Sequence, residues 1–197
     1  MRTVRAFIAL PLEEKLRREI GAFLVRWRKK APDLKWVDPS LLHVTLRFLG
    51  EVDVGLLAPL DRALREVARG TKPFHVSLGR VGAFPVLSRP RVFWLGLEPR
   101  DELAALAARV DRQVEAAGLG RRAEPFSPHL TVARARSGPG LQVDPEFVTY
   151  WQALAGGEPN GGETPGGQFT ASKIVLYESR LHPNGPEYLP LVEVELR

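Results

Sequence analysis

The stretch "LLHVTLRFL" at residues 41–49 sets a histidine and a threonine, two residues apart, into an otherwise apolar run. A short apolar run of this kind predicts a buried strand. Side chains at positions i and i+2 of a strand project from one face. His43 and Thr45 should therefore point together out of the core, while Val44 and Leu46 point into it.

The same pattern returns as "HVSL" at 75–78 and as "HLTV" at 129–132, so that three of the four histidines open such a tetrapeptide. One His-x-Thr in a strand usually marks a polar edge that faces water. Two of them at matching places of an internal repeat indicate a shared site instead, which makes it necessary to decide which two belong together.

The chain repeats one order of predicted elements: strand, helix, His-x-Thr strand, helix, strand. The first half covers about 1–85 and the second about 90–197. Within this repeat "PFHVSLGRVGAF" aligns with "QFTASKIVLYES", which places His75 opposite Thr170 and not opposite another histidine. We therefore expect His75 to be a solvent-facing strand residue, and His43 and His129 to form the pair.

The predicted fold is α+β and bilobal with pseudo-twofold symmetry. Each lobe should be a mostly antiparallel sheet with helices on its outer face, and the active-site cleft should lie between the lobes. Amphipathic helices are expected after "TVRAFIAL", after Asp53, at 101–118 and at 144–157. The segment "APDLKWVDPS" is expected to be a loop, as is the glycine- and proline-rich stretch 156–167.

Length and composition restrict the class of protein. The chain has 197 residues, a net charge of +5 and no cysteine, which suits a single soluble domain and excludes disulfides and thiolate chemistry. No His-rich cluster is visible, so we expect no metal and no cofactor, with a carboxylate-bound magnesium ion as the open alternative. The absence of a long apolar run or secretory signal predicts a cytoplasmic protein without a membrane partner.

Arginine outnumbers lysine by 22 to 6. A basic surplus favours anionic partners, and arginine suits bidentate recognition of phosphate. For most of these arginines, however, a compositional bias with charges on solvated faces is the better interpretation.

Two His-x-Thr strands that face one cleft would present two imidazoles and two hydroxyls to a single ligand. Histidine titrates near neutral pH, so the pair can divide the work of general acid and general base. Threonine hydroxyls can donate to the non-bridging oxygens of a phosphate. Such a site requires neither a metal nor a covalent nucleophile.

Four stretches, "RAFIALPL", "LKWVDPSLLHVTLRFLGEV", "PFSPHLTVAR" and "LYESRLHPNGPEYLPL", resemble the bacterial and archaeal RNA 2′,3′-cyclic phosphodiesterases, also called 2′-5′ RNA ligases, of the 2H phosphoesterase superfamily. The resemblance covers nearly the whole chain and includes both HXTX motifs. It implies hydrolysis of a terminal 2′,3′-cyclic phosphate to a 2′-phosphomonoester, with a reversible 2′-5′ ligase activity. The implied partner is RNA with such ends, for instance tRNA-derived, and a monomer without a protein partner is expected.

The resemblance also implies roles. His43 would be the general acid for the leaving 3′ oxygen and His129 the general base for water, while Thr45 and Thr131 would hold phosphate oxygens. Arg134 looks like the family's phosphate-binding arginine.

Phe48 looks like the residue that stacks on the terminal base, with a role in the core as the alternative. Strand parity directs both Phe48 and Arg134 away from the histidines, so a bulge or the end of the strand must redirect Arg134. The same parity places Arg47 on the face of His43, where it could add positive potential to the cleft. Trp36, Tyr188 and His182 are weaker candidates.

Two other functions remain open from the sequence. One is a non-catalytic module that binds RNA ends or nucleotides, which would need hydrogen-bond donors but not two titrating groups. The other is a 2H phosphoesterase that acts on a different cyclic phosphate, such as one derived from ADP-ribose.

Overall fold

The apolar runs of the sequence form strands of two antiparallel sheets, and a computed structural model of the chain describes residues 2–136, 143–156, 166–183 and 185–197. The fold is α+β with helices packed on the sheets, as predicted. The strands in this part of the chain are β1 (Thr3–Pro11), β2 (Lys35–Trp36), β3 (His43–Asp53), β4 (Phe74–Phe84), β5 (Val92–Glu98), β6 (His129–Arg134), β7 (Gln168–Ala171), β8 (Lys173–His182) and β9 (Gly185–Glu195).

The α-helices are amphipathic and bury their apolar stripes, as their 3.6-residue periodicity predicts. They are α1 (Glu14–Lys30), α2 (Leu57–Arg69), α3 (Arg100–Ala116) and α4 (Pro145–Gly156). These stripes and the core-facing side chains of the strands join in one hydrophobic cluster. Val44 and Leu46 belong to that cluster and are fully buried, so the opposite face of β3 is left for its polar side chains.

The first sheet has the strand order β3-β1-β8-β9 and the second has β2-β6-β5-β4-β7. The strands β3-β1-β8 of the first sheet correspond in order to β6-β5-β4 of the second sheet. In each set, however, the third strand (β8 or β4) comes from the other half of the sequence than the first two strands. Strand β4 of the first half lies beside β5, and β8 of the second half lies beside β1. The boundary between the sheets therefore does not follow the boundary between the halves. The division into repeated halves at 1–85 and 90–197 stays a prediction.

One predicted loop contains a strand. Within "APDLKWVDPS", Lys35 and Trp36 form β2 and pair with Arg134 and Ala133 of β6. A two-residue strand has no readable periodicity, which is why the sequence did not indicate it. Residues 157–165 of the predicted glycine-rich loop lie outside the described residues.

No helix within the described ranges combines the length and the apolar character needed to cross a membrane.

Candidate active site

The two motif histidines occupy the same position in their strands, because His43 is the first residue of β3 and His129 the first of β6. Each ring nitrogen Nδ1 lies at hydrogen-bond distance from the carbonyl oxygen two residues earlier, 2.8 Å from Leu41 and 2.7 Å from Ser127. A carbonyl oxygen only accepts, so Nδ1 must carry the hydrogen in both rings. The proton-exchanging atom of each imidazole is therefore Nε2.

The structure brings the two half-sites together. Strands β3 and β6 contact each other across the gap between the sheets. The charge of His129 lowers the pKa of His43, which places the two imidazoles within electrostatic reach of each other. Thr45 and His129 also line one cavity. The 41–49 and 129–132 motifs thus lie on neighbouring strands beside one cavity.

Both strands carry the same irregularity just after the threonine. Opposite β1, residue Thr45 pairs with Ala9 and Arg47 with Ile8, which leaves Leu46 unpaired. Opposite β5, the pairing likewise skips Val132. Such an extra residue is a β-bulge, and it reverses the inward–outward alternation of the residues that follow. In β3 this holds as far as Phe48, because a second register shift skips Leu49.

The bulges turn Phe48 and Arg134 to the exposed side of their strands. Each of these residues is the fifth after its histidine, so the two are counterparts in the repeat. The conflict between strand parity and the expected positions of Arg134 and Phe48 is resolved by the bulges. The alternative of a core role for Phe48 does not fit, because 65% of its surface is exposed.

The same bulge shows that the expected face of Arg47 is wrong, although Arg47 does line the cavity that Thr45 and His129 line. Arg47 does not share the face of His43 but is turned inward and only 5% exposed. Its Nη1 forms an ion pair of 2.8 Å with Oδ1 of Asp111 on α3, and its Nη2 donates to the carbonyl oxygen of Gly120. Arg47 is thus a structural residue whose charge is compensated.

Asp111 holds a second arginine as well. Its Oδ2 lies 2.8 Å from Nε of Arg122, whose Nη2 donates to the carbonyl oxygen of Leu46. The network of Arg47, Asp111 and Arg122 therefore ties the bulge of β3 to the segment that leads into His129. Asp111 and Arg122 were not predicted as site residues, because charged residues 64 and 75 positions after Arg47 give no local signal in the sequence.

Burial is the main cause that lowers the pKa of both His43 and His129 below the ordinary value. The Nδ1–carbonyl hydrogen bonds oppose this shift. Arg134, which the bulge turns to the exposed side of β6, lowers the pKa of both imidazoles further by its positive charge. Arg134 is thus positioned to meet an anion that lies between the histidines.

An aromatic ring stands edge-on against each imidazole. Tyr188 meets His43 with ring centroids 5.2 Å apart and an interplanar angle of 90°. Phe84 meets His129 at 5.0 Å and 87°. These contacts fix the imidazole planes, and the two half-sites differ in that only one of the two aromatic residues carries a hydroxyl.

A cavity of about 780 Å³ opens beside this pair of half-sites. Thr45 and His129 line its inner part, and the aromatic rings of Phe48, Phe84 and Phe126 line its walls. Its volume lies toward the upper end of the range of ligand pockets, roughly 300–1,000 Å³. An open aromatic cavity beside a cationic centre is suited to a nucleotide, with stacking surfaces for the base and donors for the phosphate.

Three other candidates lie apart from this arrangement. His75 is exposed on β4 and faces Thr170 of β7, in agreement with the predicted solvent-facing position. His182 is exposed and lies 3.3 Å from Oε2 of Glu187. Trp36 donates its Nε1–H to the carbonyl oxygen of Ala31 at 2.8 Å, which is a structural role.

Within the described part of the chain, no group of three or more histidine and carboxylate side chains is arranged to hold a metal ion.

A family model of the 2′-5′ RNA ligase superfamily matches residues 16–182. A protein of Methanothermobacter thermautotrophicus named RNA 2′,3′-cyclic phosphodiesterase is 32% identical over 185 residues, which cover 94% of this chain and 95% of that protein. One of the same name from Archaeoglobus fulgidus is 32% identical over 188 residues, covering 95% of this chain and 98% of that protein.

Solved structures agree with the fold. The crystal structure of E. coli LigT complexed with 3′-AMP superposes with a TM-score of 0.73 at 25% identity and covers 99% of both chains. A crystal structure of a protein from Thermus thermophilus gives a TM-score of 0.72 at 28% identity, with 98% of both chains covered.

Proposed function

The chain belongs to the 2′-5′ RNA ligase superfamily, and we propose that it is an RNA 2′,3′-cyclic phosphodiesterase that needs no metal ion. The observation that carries this proposal is the pair of equivalent imidazoles, each with Nδ1 held by a backbone carbonyl and with Nε2 left to exchange a proton. The names of the relatives from M. thermautotrophicus and A. fulgidus support the same substrate.

In the proposed reaction His43 and His129 act on opposite sides of the phosphorus atom. His129, neutral at the start, takes a proton from water as the water oxygen bonds to phosphorus. The bond from phosphorus to O3′ breaks, and protonated His43 supplies the proton that O3′ needs as a leaving group. The product is a 2′-phosphomonoester with a free 3′-hydroxyl, and the two histidines end with their protonation states exchanged.

The remaining site residues bind the substrate. The hydroxyls of Thr45 and Thr131 project from the same faces as the histidines and would donate to non-bridging oxygens. Arg134 would supply a charge-assisted hydrogen bond to the same phosphate. Phe48, which is exposed at the cavity, would stack on the terminal base. All of these groups belong to one chain, which supports a monomeric enzyme.

The same arrangement supports transfer to a second RNA instead of to water. If the 5′-hydroxyl of a second RNA takes the place of water, His129 can deprotonate it and a 2′-5′ phosphodiester forms with the same acid and base. The proposal therefore includes 2′-5′ ligation of RNA ends. Because its substrate is RNA, we also propose a cytoplasmic location.

The test is to incubate the purified protein in EDTA with an oligoribonucleotide that ends in a 2′,3′-cyclic phosphate, and to identify the product isomer by chromatography against 2′- and 3′-phosphate standards. Only the 2′-phosphate should form, at the rate measured without EDTA. The proposal fails if the product is the 3′-phosphate or if activity requires a divalent ion. Binding without turnover would instead indicate a module that only binds RNA ends.

A further inference from the structure

Tyr188 of β9 is held rigidly beside the catalytic pair by its aromatic neighbours. Its ring lies edge-on to Phe7 at 4.9 Å and edge-on to His43 at 5.2 Å, and it also contacts Tyr177 at 6.3 Å. Three ring contacts leave little rotational freedom for the phenol. The direction of its hydroxyl is therefore set by the fold before a substrate arrives.

The hydroxyl of Tyr188 has no hydrogen-bond partner among the residues that the structure describes, although the side chain is only partly exposed. A half-buried phenol O–H usually finds a partner. Burial raises the pKa of Tyr188, so the phenol stays protonated and can donate at neutral pH. The group is thus a fixed donor that has no acceptor within the described ranges.

The surroundings of this hydroxyl are cationic. The charge of Arg134 acts on Tyr188 as it acts on His43 and His129, and Arg5 adds a second positive charge. Arg134 therefore lies near all three side chains. A donor that has no acceptor among the described residues, and on which two arginine charges act, is suited to an anionic ligand.

We propose that Tyr188 is a phosphate-binding residue of this site, whose phenol O–H donates to a non-bridging oxygen of the phosphate that Arg134 holds. The identity of the substrate in this inference rests on the proposed function. The presence of a phosphate in the site does not depend on it. The hydroxyl of Tyr188 also makes the half-site of His43 different from the half-site of His129, because Phe84, which lies beside His129, has no hydroxyl that could donate a hydrogen bond. The two similar half-sites thereby become unequal toward an asymmetric substrate.

The decisive variant is Tyr188→Phe, which removes one oxygen and keeps the ring contacts. Loss of a hydrogen bond to a charged acceptor should lower kcat/KM for a dinucleotide with a 2′,3′-cyclic phosphate roughly 10- to 100-fold. The dissociation constant of inorganic phosphate, measured by calorimetry, should rise, whereas that of adenosine, which lacks a phosphate, should not change.

Tyr177→Phe is the matched control, because it makes the same change in the neighbouring ring. The charged groups that act on the Tyr177 hydroxyl are Glu193, Lys173 and Arg17, and not Arg134. This variant should behave like the wild type. Equal kinetics and phosphate binding of wild type and Tyr188→Phe would overturn the inference, and so would equal losses in the two tyrosine variants.

The experiment also separates the two proposals. If the wild type binds phosphate in a Tyr188-dependent manner but does not turn over the dinucleotide, the proposed function fails and the phosphate site stands. If turnover is normal in Tyr188→Phe, the proposed function stands and the role of Tyr188 fails.

Discussion

His43 and His129 have the same backbone hydrogen bond and yet opposite proposed roles, so their protonation is the central question at the scale of the residue. Burial and Arg134 lower the pKa of both imidazoles, which disfavours the cationic form in the free protein. A phosphodiester carries a negative charge, and its arrival between the rings favours protonation again. Binding and proton uptake should therefore be coupled.

This coupling predicts the position of the pH–rate profile. The profile of kcat/KM reports the free enzyme, in which His43 must be protonated and His129 neutral. Because the pKa of His43 is lowered, kcat/KM should fall as pH rises through a value below about 6.5. Because the pKa of His129 is lowered too, the acidic limb is displaced in the same direction, and the whole bell is displaced to acid pH.

In the substrate complex the phosphate raises both pKa values, so the bell-shaped profile of kcat should lie at higher pH than that of kcat/KM. The Arg134→Gln variant removes one of the charges that lower these pKa values and should move the kcat/KM profile to higher pH. Steady-state kinetics over a pH series measures both shifts. A profile of Arg134→Gln that coincides with that of the wild type would remove this arginine from the site.

Replacement of the histidines tests their joint action. Each general acid or base contributes about 10²–10⁴ in rate, so His43→Ala and His129→Ala should each lose at least about a hundredfold in kcat. The double variant should lose far less than the product of the two losses, because both residues act on one transition state. Both side chains lie outside the hydrophobic cluster, so circular dichroism should show intact folds.

His75→Ala is the internal control for these variants, since its tetrapeptide "HVSL" resembles the motif but His75 faces solvent on β4. Its kinetics should match the wild type. Severe loss of activity in His75→Ala beside an active His129→Ala would show that the wrong tetrapeptides had been paired.

At the scale of the element, the β-bulges determine which side chains reach the cleft. The apolar alternation around His43 and His129 was sufficient to predict two strands and the direction of the motif residues. Beyond the threonines it failed for Arg47, because an unpaired residue such as Leu46 looks like any other apolar residue in the sequence. For Arg134 the sequence predicted that a bulge was needed, since a phosphate-binding role and strand parity conflicted. In β3 the same conflict existed for Phe48, but a core role was an alternative explanation of its parity, so the conflict did not reveal the bulge.

The bulge of β3 is held by Asp111, and its removal is predicted to destabilise the fold. Asp111→Asn leaves Arg47, whose side chain is 6% exposed, without its counter-charge. Loss of one partner from a buried ion pair lowers the free energy of unfolding by roughly 3–5 kcal/mol. Because the side chain of Asp111 is 19% exposed, we expect a loss in the lower half of that range. Chemical denaturation measures the change.

The control for this variant is Glu14→Gln, whose partner Arg18 is one helical turn away, with both side chains 71% exposed. Exposed pairs of this kind contribute at most about 0.5 kcal/mol. If Asp111→Asn were no more destabilising than Glu14→Gln, the network would not hold the bulge in place.

At the scale of the whole molecule, the basic charge predicts a salt-dependent encounter with RNA. The net charge is +5, and each phosphate contact releases counterions on binding. The logarithm of the association constant for an oligonucleotide product should fall linearly with the logarithm of salt concentration, and the slope should decrease by about one unit in Arg134→Ala. Arg89→Ala, a change at an exposed arginine on the turn between β4 and β5, is the control and should keep the wild-type slope. A slope unchanged by Arg134→Ala would mean that this residue does not meet phosphate.

The sequence indicated the repeat but not the exchange of strands between its halves. Hydrophobic periodicity shows which residues form a strand and which of its faces is buried, whereas the choice of partner strand depends on packing between distant segments. In this fold β4 pairs only with β5 and β7, both from the second half, and β1 of the first half pairs with β8. From this pairing we predict that the two halves of the sequence do not fold as independent lobes.

This topology predicts the behaviour of the separated halves. A break between Ser88 and Arg89, which are both exposed between β4 and β5, would yield fragments 1–88 and 89–197. Fragment 1–88 has β4 without a partner strand and β1 with an open edge. Fragment 89–197 keeps the pair of β8 and β9 but lacks β1, the other neighbour of β8, and β4, which lies between β5 and β7. We therefore expect each fragment to bury too little apolar surface to fold. Two-dimensional amide NMR spectra should show poor dispersion for each fragment alone.

An equimolar mixture of the two fragments should regain a dispersed spectrum and cyclic phosphodiesterase activity, because His43 and His129 then meet across the rebuilt sheets. A well-dispersed spectrum of fragment 1–88 by itself would contradict a single cooperative unit and favour independent lobes.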